Sequence, residues 1–171
     1  MLPKIQNILY ASDLSDNSAP ALAWAILLAH RNDARVTFLH VIEEAHPQAT
    51  LFTQSILGDG RWRAFADGHR NQTHDLIKER IECFCDSVLQ EMAACPFAVT
   101  DILIDRGMPV EVILKEIASN HYDLVTMGAL GVGVFKKGTV GRTTRRVLRG
   151  SRLPVFVIPR PQQKAPAGKG P

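Results

Sequence analysis

Five short apolar runs punctuate the chain, separated by longer polar or amphipathic stretches, and this alternation restricts the fold more than any other feature. The runs are Ile5 to Ala11, Arg35 to Ile42, Ala98 to Asp105, Asp123 to Met127 and Val155 to Ile158. They are short and rich in Val, Ile, Leu or Phe, the pattern of strands buried on both faces. Between them apolar residues recur at helical spacing. Ala21, Leu22, Ala25, Leu28 and Ala29 share one face, with Asp16 or Ser18 as a cap, Pro20 in the first turn and Asn32-Asp33 as the end. Ile77, Ile81, Phe84 and Val88 share a face of a helix expected over Asn71 to Ala94 and closed by Pro96. Gly107-Met-Pro109 opens a helix with Val110, Ile113, Leu114 and Ile117 inward, and a basic helix is expected over Thr143 to Arg149. The order β-α-β-α-β-α-β-α-β predicts an α/β fold: parallel strands, right-handed crossovers and helices on both faces. Ligands of such sheets bind beyond the carboxyl ends of the strands, where the winding reverses.

Glu43 to Gly68 interrupts the pattern. It holds Pro47, the turn signal Gly58-Asp59-Gly60 and scattered large apolar residues, and is expected to be irregular apart from a short helix near Leu51 to Leu57. Residues 1–159 are expected to form one domain, and Arg160 to Pro171 a disordered tail of Pro, Gly, Gln, Lys and Ala.

A chain of 171 residues with 46% hydrophobic and 22% charged residues is ordinary for a globular domain. No apolar run is long enough to span a bilayer, and no leader pattern opens the chain, so a cytoplasmic protein without membrane contact is expected. Cys83, Cys85 and Cys95 fit a reducing compartment; Cys83 and Cys85 fall on different faces of one helix, a poor arrangement for chelation, and no metal site is expected there. The net charge of +3 is mild, but Lys136 to Arg152 carries seven Lys or Arg and no acid. A solvated helix face is expected to account for most of these charges, with attraction of an anionic ligand or partner as the alternative. Without a recognition motif or interleaved aromatics, no nucleic-acid partner is expected.

The chemistry concentrates at Gly128-Ala-Leu-Gly131, followed after nine residues by Gly141-Arg142-Thr143-Thr144. A strand ends in glycines that let backbone N–H groups approach an anion, and the loop then enters a helix whose first turn offers unpaired N–H groups. Thr143 and Thr144 add hydroxyls. Other phosphate motifs fit poorly: Thr139 stands where a Walker loop requires Lys, and Gly131-x-Gly133 lacks the third glycine of a dinucleotide fingerprint. A loop with ordinary turn glycines is the alternative.

The Gly-x2-Gly-x9-Gly spacing, set between Asp123-Leu-Val-Thr-Met127 and Leu153-Pro154-Val-Phe-Val-Ile158, resembles the universal stress protein family. Asn7-Ile-Leu-Tyr-Ala-Ser-Asp13-Leu-Ser15 is similar to that family's first strand, Ser18 to Ala29 to its first helix, and Gly107-x-Pro109 with Ile113 to a later helix start. The resemblance runs from Lys4 to Pro159, the loop from Glu43 to Gly68 excepted. It implies a five-stranded parallel, Rossmann-like sheet in order 3-2-1-4-5. It also implies a homodimer, through Val155 to Ile158 in this chain, and in one branch of the family bound ATP or another adenine nucleotide, with Mg2+ as its companion ion. Carried over by position, Ala11, Ser12 and Asp13 would face the ligand, and Val41 would meet the adenine through its backbone. Met127, Gly128, Leu130, Gly131, Gly141, Arg142, Thr143 and Thr144 would line ribose and phosphates. Arg142 departs from the family pattern, which has Ser or Thr directly after the last glycine.

Catalytic constellations are absent from the sequence: there is no Ser-His-Asp order, no Glu-x-x-His pattern and no nameable general base. A regulatory nucleotide-binding protein in the stress response, acting on an unidentified protein partner, is therefore the expectation. A dimeric module that has lost its ligand and a slow ATP hydrolase are the alternatives.

Overall fold

The computed structural model describes residues 3–15, 18–43, 59–92, 99–119, 121–130 and 140–159, with backbone alone over 59–72. Five strands, β1 (Asn7–Ser12), β2 (Arg35–Glu43), β3 (Asp101–Gly107), β4 (Leu124–Gly128) and β5 (Val155–Ile158), form one sheet. Four helices alternate with them: α1 (Ala19–Asn32), α2 (Asp59–Glu91), α3 (Pro109–Ala118) and α4 (Arg142–Gly150). All pairings are parallel and the order is β3-β2-β1-β4-β5, as the resemblance implies.

Side-chain alternation along the strands divides the interior into two layers. Ile8 and Tyr10 of β1, with Val36 and Phe38 of β2, pack beneath α1 and α2, where they meet Leu22, Ile26, Ile81 and Val88. Leu9 and Ala11, with Leu39, Val125 and Met127, face the opposite way and are covered by Val110, Ile113 and Ile117 of α3 and Val147 of α4. Each fully buried large side chain contributes about 1.5–3 kcal/mol relative to exposure. Tyr10 meets Phe38 edge-on at 4.9 Å between centroids, and Phe38 meets Phe84 at 6.2 Å.

Several sequence boundaries shift. β1 starts at Asn7 and reaches Ser12, and β3 runs from Asp101 to Gly107, two residues further than expected. The larger correction is α2, which is already helical at Asp59 and includes residues 59–68 of the stretch expected to be irregular. Asp59 and Gly60 of the expected turn lie in the first turn of this helix, where Asp is favourable and a glycine costs only about 1 kcal/mol. Cys83 is exposed and Cys85 buried, as their different faces require. The expected helix near Leu51 to Leu57, together with Cys95, Pro96, Gly131 and the segment 160–171, lies outside the described residues.

Ser18 holds the N-cap position of α1, with Pro20 in the first turn, yet its hydroxyl makes no capping bond. It donates to Asp13 Oδ1 instead, at 3.0 Å. At the other end Asp33 adopts φ 53° and returns its N–H to Ala29 O, a left-handed terminus that a short polar side chain tolerates.

Candidate functional site

β1 is the switch point. From it the chain passes to β2 on one side, and after β3 it crosses to β4 on the other, so a crevice opens beyond the carboxyl ends of β1 and β4. Ala11 pairs in register with Met127, which brings Ser12 and Asp13 beside Gly128, Ala129 and Leu130.

The turn after β1 is held by its own side chains. Leu14 sits at φ +58°, an uncommon conformation for a residue with a branched side chain. Two bonds fix it: Leu14 N–H donates to Ser12 Oγ at 3.1 Å, and Ser15 N–H donates to Asp13 Oδ1 at 3.1 Å. Asp13 Oδ1 also receives the Ser18 hydroxyl. The Ser18 carbonyl accepts the Tyr10 hydroxyl at 2.8 Å, and burial pushes that phenol well above its usual range. Asp13 is therefore a turn aspartate in the sense of an Asx motif, while its side chain remains exposed at the crevice.

His40 is the neighbour in register of Ser12 and places Nδ1 3.0 Å from the Ser12 carbonyl. A carbonyl only accepts, so Nδ1 carries the hydrogen. This contact ties the end of β1 to β2, and no spacing in the sequence announces it. Val41 follows on β2, half-buried, with its side chain packed against the layer under α3 and α4.

The phosphate-loop candidates converge at the start of α4. Ala129 N–H donates to Ile158 O at 2.8 Å, and Gly141 N–H donates to Ala129 O at 2.7 Å. Thr144, 4% exposed, donates its hydroxyl to Gly128 O at 2.9 Å. The first turn of α4 is thus sewn to the end of β4. Gly141 caps the helix without a side-chain bond, and no acidic residue stands in the first turn. The backbone N–H groups at its head have no intrahelical acceptor.

The described site residues thus separate into two groups. Ala11, Met127, Gly141 and Thr144 are buried and build the floor; Met127 and Ala11 have their side chains in the core. Thr144, expected as a phosphate donor, has committed its hydrogen to the Gly128 carbonyl. Ser12, Gly128, Leu130 and Thr143 are half-buried, and Asp13 and Arg142 exposed, around the opening. Gly131 lies outside the described residues. No cluster of three metal-ligating side chains occurs among the described residues, and no described helix is long and apolar enough to cross a membrane.

Comparison with known proteins agrees with this architecture. A universal stress protein of Methanocaldococcus jannaschii is 26% identical over 155 residues, covering 91% of this chain and 95% of the relative. A universal stress protein of Bacillus subtilis is 27% identical over 151 residues, covering 88% and 97%. The solved structure of universal stress protein UspA from Lactobacillus plantarum superposes with a TM-score of 0.65 at 24% identity, over 92% of this chain and 99% of that one. The model of the universal stress protein family matches residues 4–159, and the chain belongs to that family.

Proposed function

We propose that this protein binds one adenine nucleotide per chain, ATP foremost, in the crevice between β1 and β4, and acts as a regulatory protein of the stress response. The observation that carries the reading is the junction of β4 with α4. Bonds from Thr144 to Gly128 and from Gly141 to Ala129 fix a helix N-terminus at the switch point of a parallel sheet. Solved members of the family include one in complex with cAMP and, from Archaeoglobus fulgidus, one in complex with dAMP; both share the fold, at TM-scores of 0.54 and 0.56. In this reading the N–H groups of Arg142, Thr143 and Thr144 receive the phosphates, Gly128 and Gly131 give them room, and Val41 and Asp13 flank the adenosine. Mg2+ enters with the phosphates. Among the described residues no group is placed as a general base, so binding is proposed in preference to hydrolysis.

The same reading includes a homodimer through β5. Pro154 and Ile158 direct their carbonyls to β4, receiving Val125 N–H at 3.0 Å and Ala129 N–H at 2.8 Å. The two-residue period then aims the N–H groups of Val155 and Val157 at the outer edge, where a second strand finds partners.

Arg142 supplies the test. A charge-assisted contact to phosphate is worth about 1.5–3 kcal/mol, or roughly one to two decades in affinity. Calorimetry should show one ATP site per chain, and Arg142→Ala should weaken ATP by that factor and AMP much less. Failure of the unchanged protein to take up either nucleotide would remove the proposal and leave the ligand-free dimeric module. Arg142 itself favours that second reading, since a long cation replaces the small hydroxyl expected after Gly141.

A further inference from the structure

The outer face of α4 is a row of guanidinium groups. Arg142, Arg145, Arg146 and Arg149 stand at i, i+3, i+4 and i+7, which puts them on one side of the helix. All four are exposed, whereas Thr144 and Val147 on the opposite side are buried. Arg152, also exposed, prolongs the row past the helix end. Among the described residues no carboxylate lies within ion-pair distance of any of them; the ion pairs there join His74 to Asp75 and Lys115 to Asp105.

This row works against its own helix. Like charges one turn apart repel, and a cation near a helix N-terminus opposes the dipole. An acid in the first turn would relieve both effects, and α4 has none. The arrangement suits an external polyanion. The row also lacks an apolar centre: Leu148 is exposed, but it lies to one side of the arginines. Protein interfaces draw their affinity from a desolvated apolar core, which this face does not provide. Contact with a phosphodiester backbone needs only charge, and guanidinium pairs with phosphate in bidentate fashion. The rise from Arg142 to Arg149 is about 10 Å, roughly the axial length of three phosphates on one strand of a duplex.

We propose that the arginine face of α4 docks on the phosphate backbone of a nucleic-acid duplex without reading its sequence. The sequence-based expectation of no nucleic-acid partner rested on the lack of base-reading motifs and aromatics, and a backbone contact requires neither. The proposal stands on α4 alone and does not require nucleotide binding in the crevice.

Fluorescence anisotropy with a labelled duplex of about 20 base pairs of arbitrary sequence, titrated at several salt concentrations, tests it. With about four arginines engaged, log affinity should fall with log salt at a slope near −3.6, that is about −0.9 for each phosphate neutralised. R145Q/R146Q/R149Q should remove roughly three-quarters of that slope, with a melting temperature no lower than that of the unchanged protein and unchanged ATP affinity. Arg149→Gln alone, in the last helical turn, should lower it by about 0.9 and covers the case in which the triple variant does not fold. A shallow slope in the unchanged protein, an unaltered slope in the variants, or equally tight binding to polyglutamate of matched charge would each overturn the proposal.

Discussion

Thr144→Val isolates the junction on which the site depends. Valine matches threonine in shape, so packing beneath α4 is kept and the change removes one hydroxyl. In the native protein that hydroxyl donates to Gly128 O at 2.9 Å from a side chain only 4% exposed. The variant loses a bond worth about 0.5–1.5 kcal/mol net and leaves a carbonyl with one acceptor site poorly satisfied, a penalty of about 1–3 kcal/mol where water cannot replace the donor. Gly128 is half-buried, which permits partial hydration. The expected loss is therefore about 1–2 kcal/mol. With a urea dependence of about 2 kcal/mol per molar, the unfolding midpoint should fall by about 0.5–1 M.

A second measurement separates geometry from stability. Thr144→Ser keeps the donor and removes only a methyl group, so it should retain nucleotide affinity measured in the absence of denaturant. Thr144→Val should weaken ATP and AMP by similar factors, because it displaces the whole first turn of α4 and not one phosphate contact. Equal midpoints for Thr144→Val and the unchanged protein would show that the bond does not hold the junction. Unchanged affinity despite a lowered midpoint would show that the junction does not shape the site.

The remaining predictions concern the frame. Gly107 adopts φ +135°, and a Cβ there would touch Val112 Cγ2 at an ordinary 3.4 Å, so Gly107→Ala should cost the backbone alone roughly 1–3 kcal/mol. The melting temperature should then drop by about 2–10 °C, and an unchanged one would show that the β3–α3 turn relaxes freely. Burial, with Asp86 and Glu82 adding to it, pushes the Cys85 thiol from 9.0 up to about 12. Its stabilisation is complete below pH 9.0 and lost as pH rises towards about 12, with Tyr10 acting in the same direction. Urea midpoints should fall through that range and fall less in Cys85→Ala; a level profile to about pH 11 refutes the assignment. Val157→Pro removes an outward N–H without touching the bonds between β4 and β5, so light scattering should report monomers. A dimer of undiminished strength would place the contact elsewhere.

The sheet was legible because each strand is short, apolar and separated from the next by a helical period or a turn signal, and burial on both faces leaves that composition little freedom. The same periodicity marks Ala21, Leu22, Ala25 and Ala29 of α1 and Val110, Ile113 and Ile117 of α3, all buried; it passes over Ile26 and Val112, also buried, and Leu28 and Leu114 are only half-buried. Helix α2 was only partly legible: Gly58-Asp59-Gly60 reads as a turn in isolation, yet the helix includes Asp59 and Gly60. The candidate site is marked in the sequence where glycines and a strand end coincide, at Gly128 and Gly141. It was opaque where side chains distant in sequence meet. Neither the His40 contact with Ser12 O nor the Tyr10 contact with Ser18 O has a local signature, because both depend on strand register and on the path of the turn after β1. Thr144 illustrates a further limit: the residue type was read as a donor, but the sequence cannot say which acceptor receives the hydrogen.

That distinction gives the start of α4 its interest. Gly141 and Thr144 are buried and bonded to β4, so they hold the helix in place whether or not a ligand is present. Arg142 and Thr143 lie between them, exposed and half-buried, and share no part of that scaffold. Substitution at Gly141 or Thr144 therefore confounds folding with binding, whereas substitution at Arg142 should leave the fold intact and report on the ligand. The arginine also belongs to two surfaces, the mouth of the crevice and the first position of the row that continues through Arg145, Arg146 and Arg149. A protein with an anion in the crevice would neutralise the one cation closest to the helix N-terminus and leave the other three available along the outer face. Nucleotide binding and backbone docking would then compete only at Arg142, so ATP should reduce the salt slope of duplex binding by about 0.9, the share of a single contact. A reduction several times larger would mean that the two ligands contend for the whole face, and no reduction would place Arg142 in only one of the two surfaces.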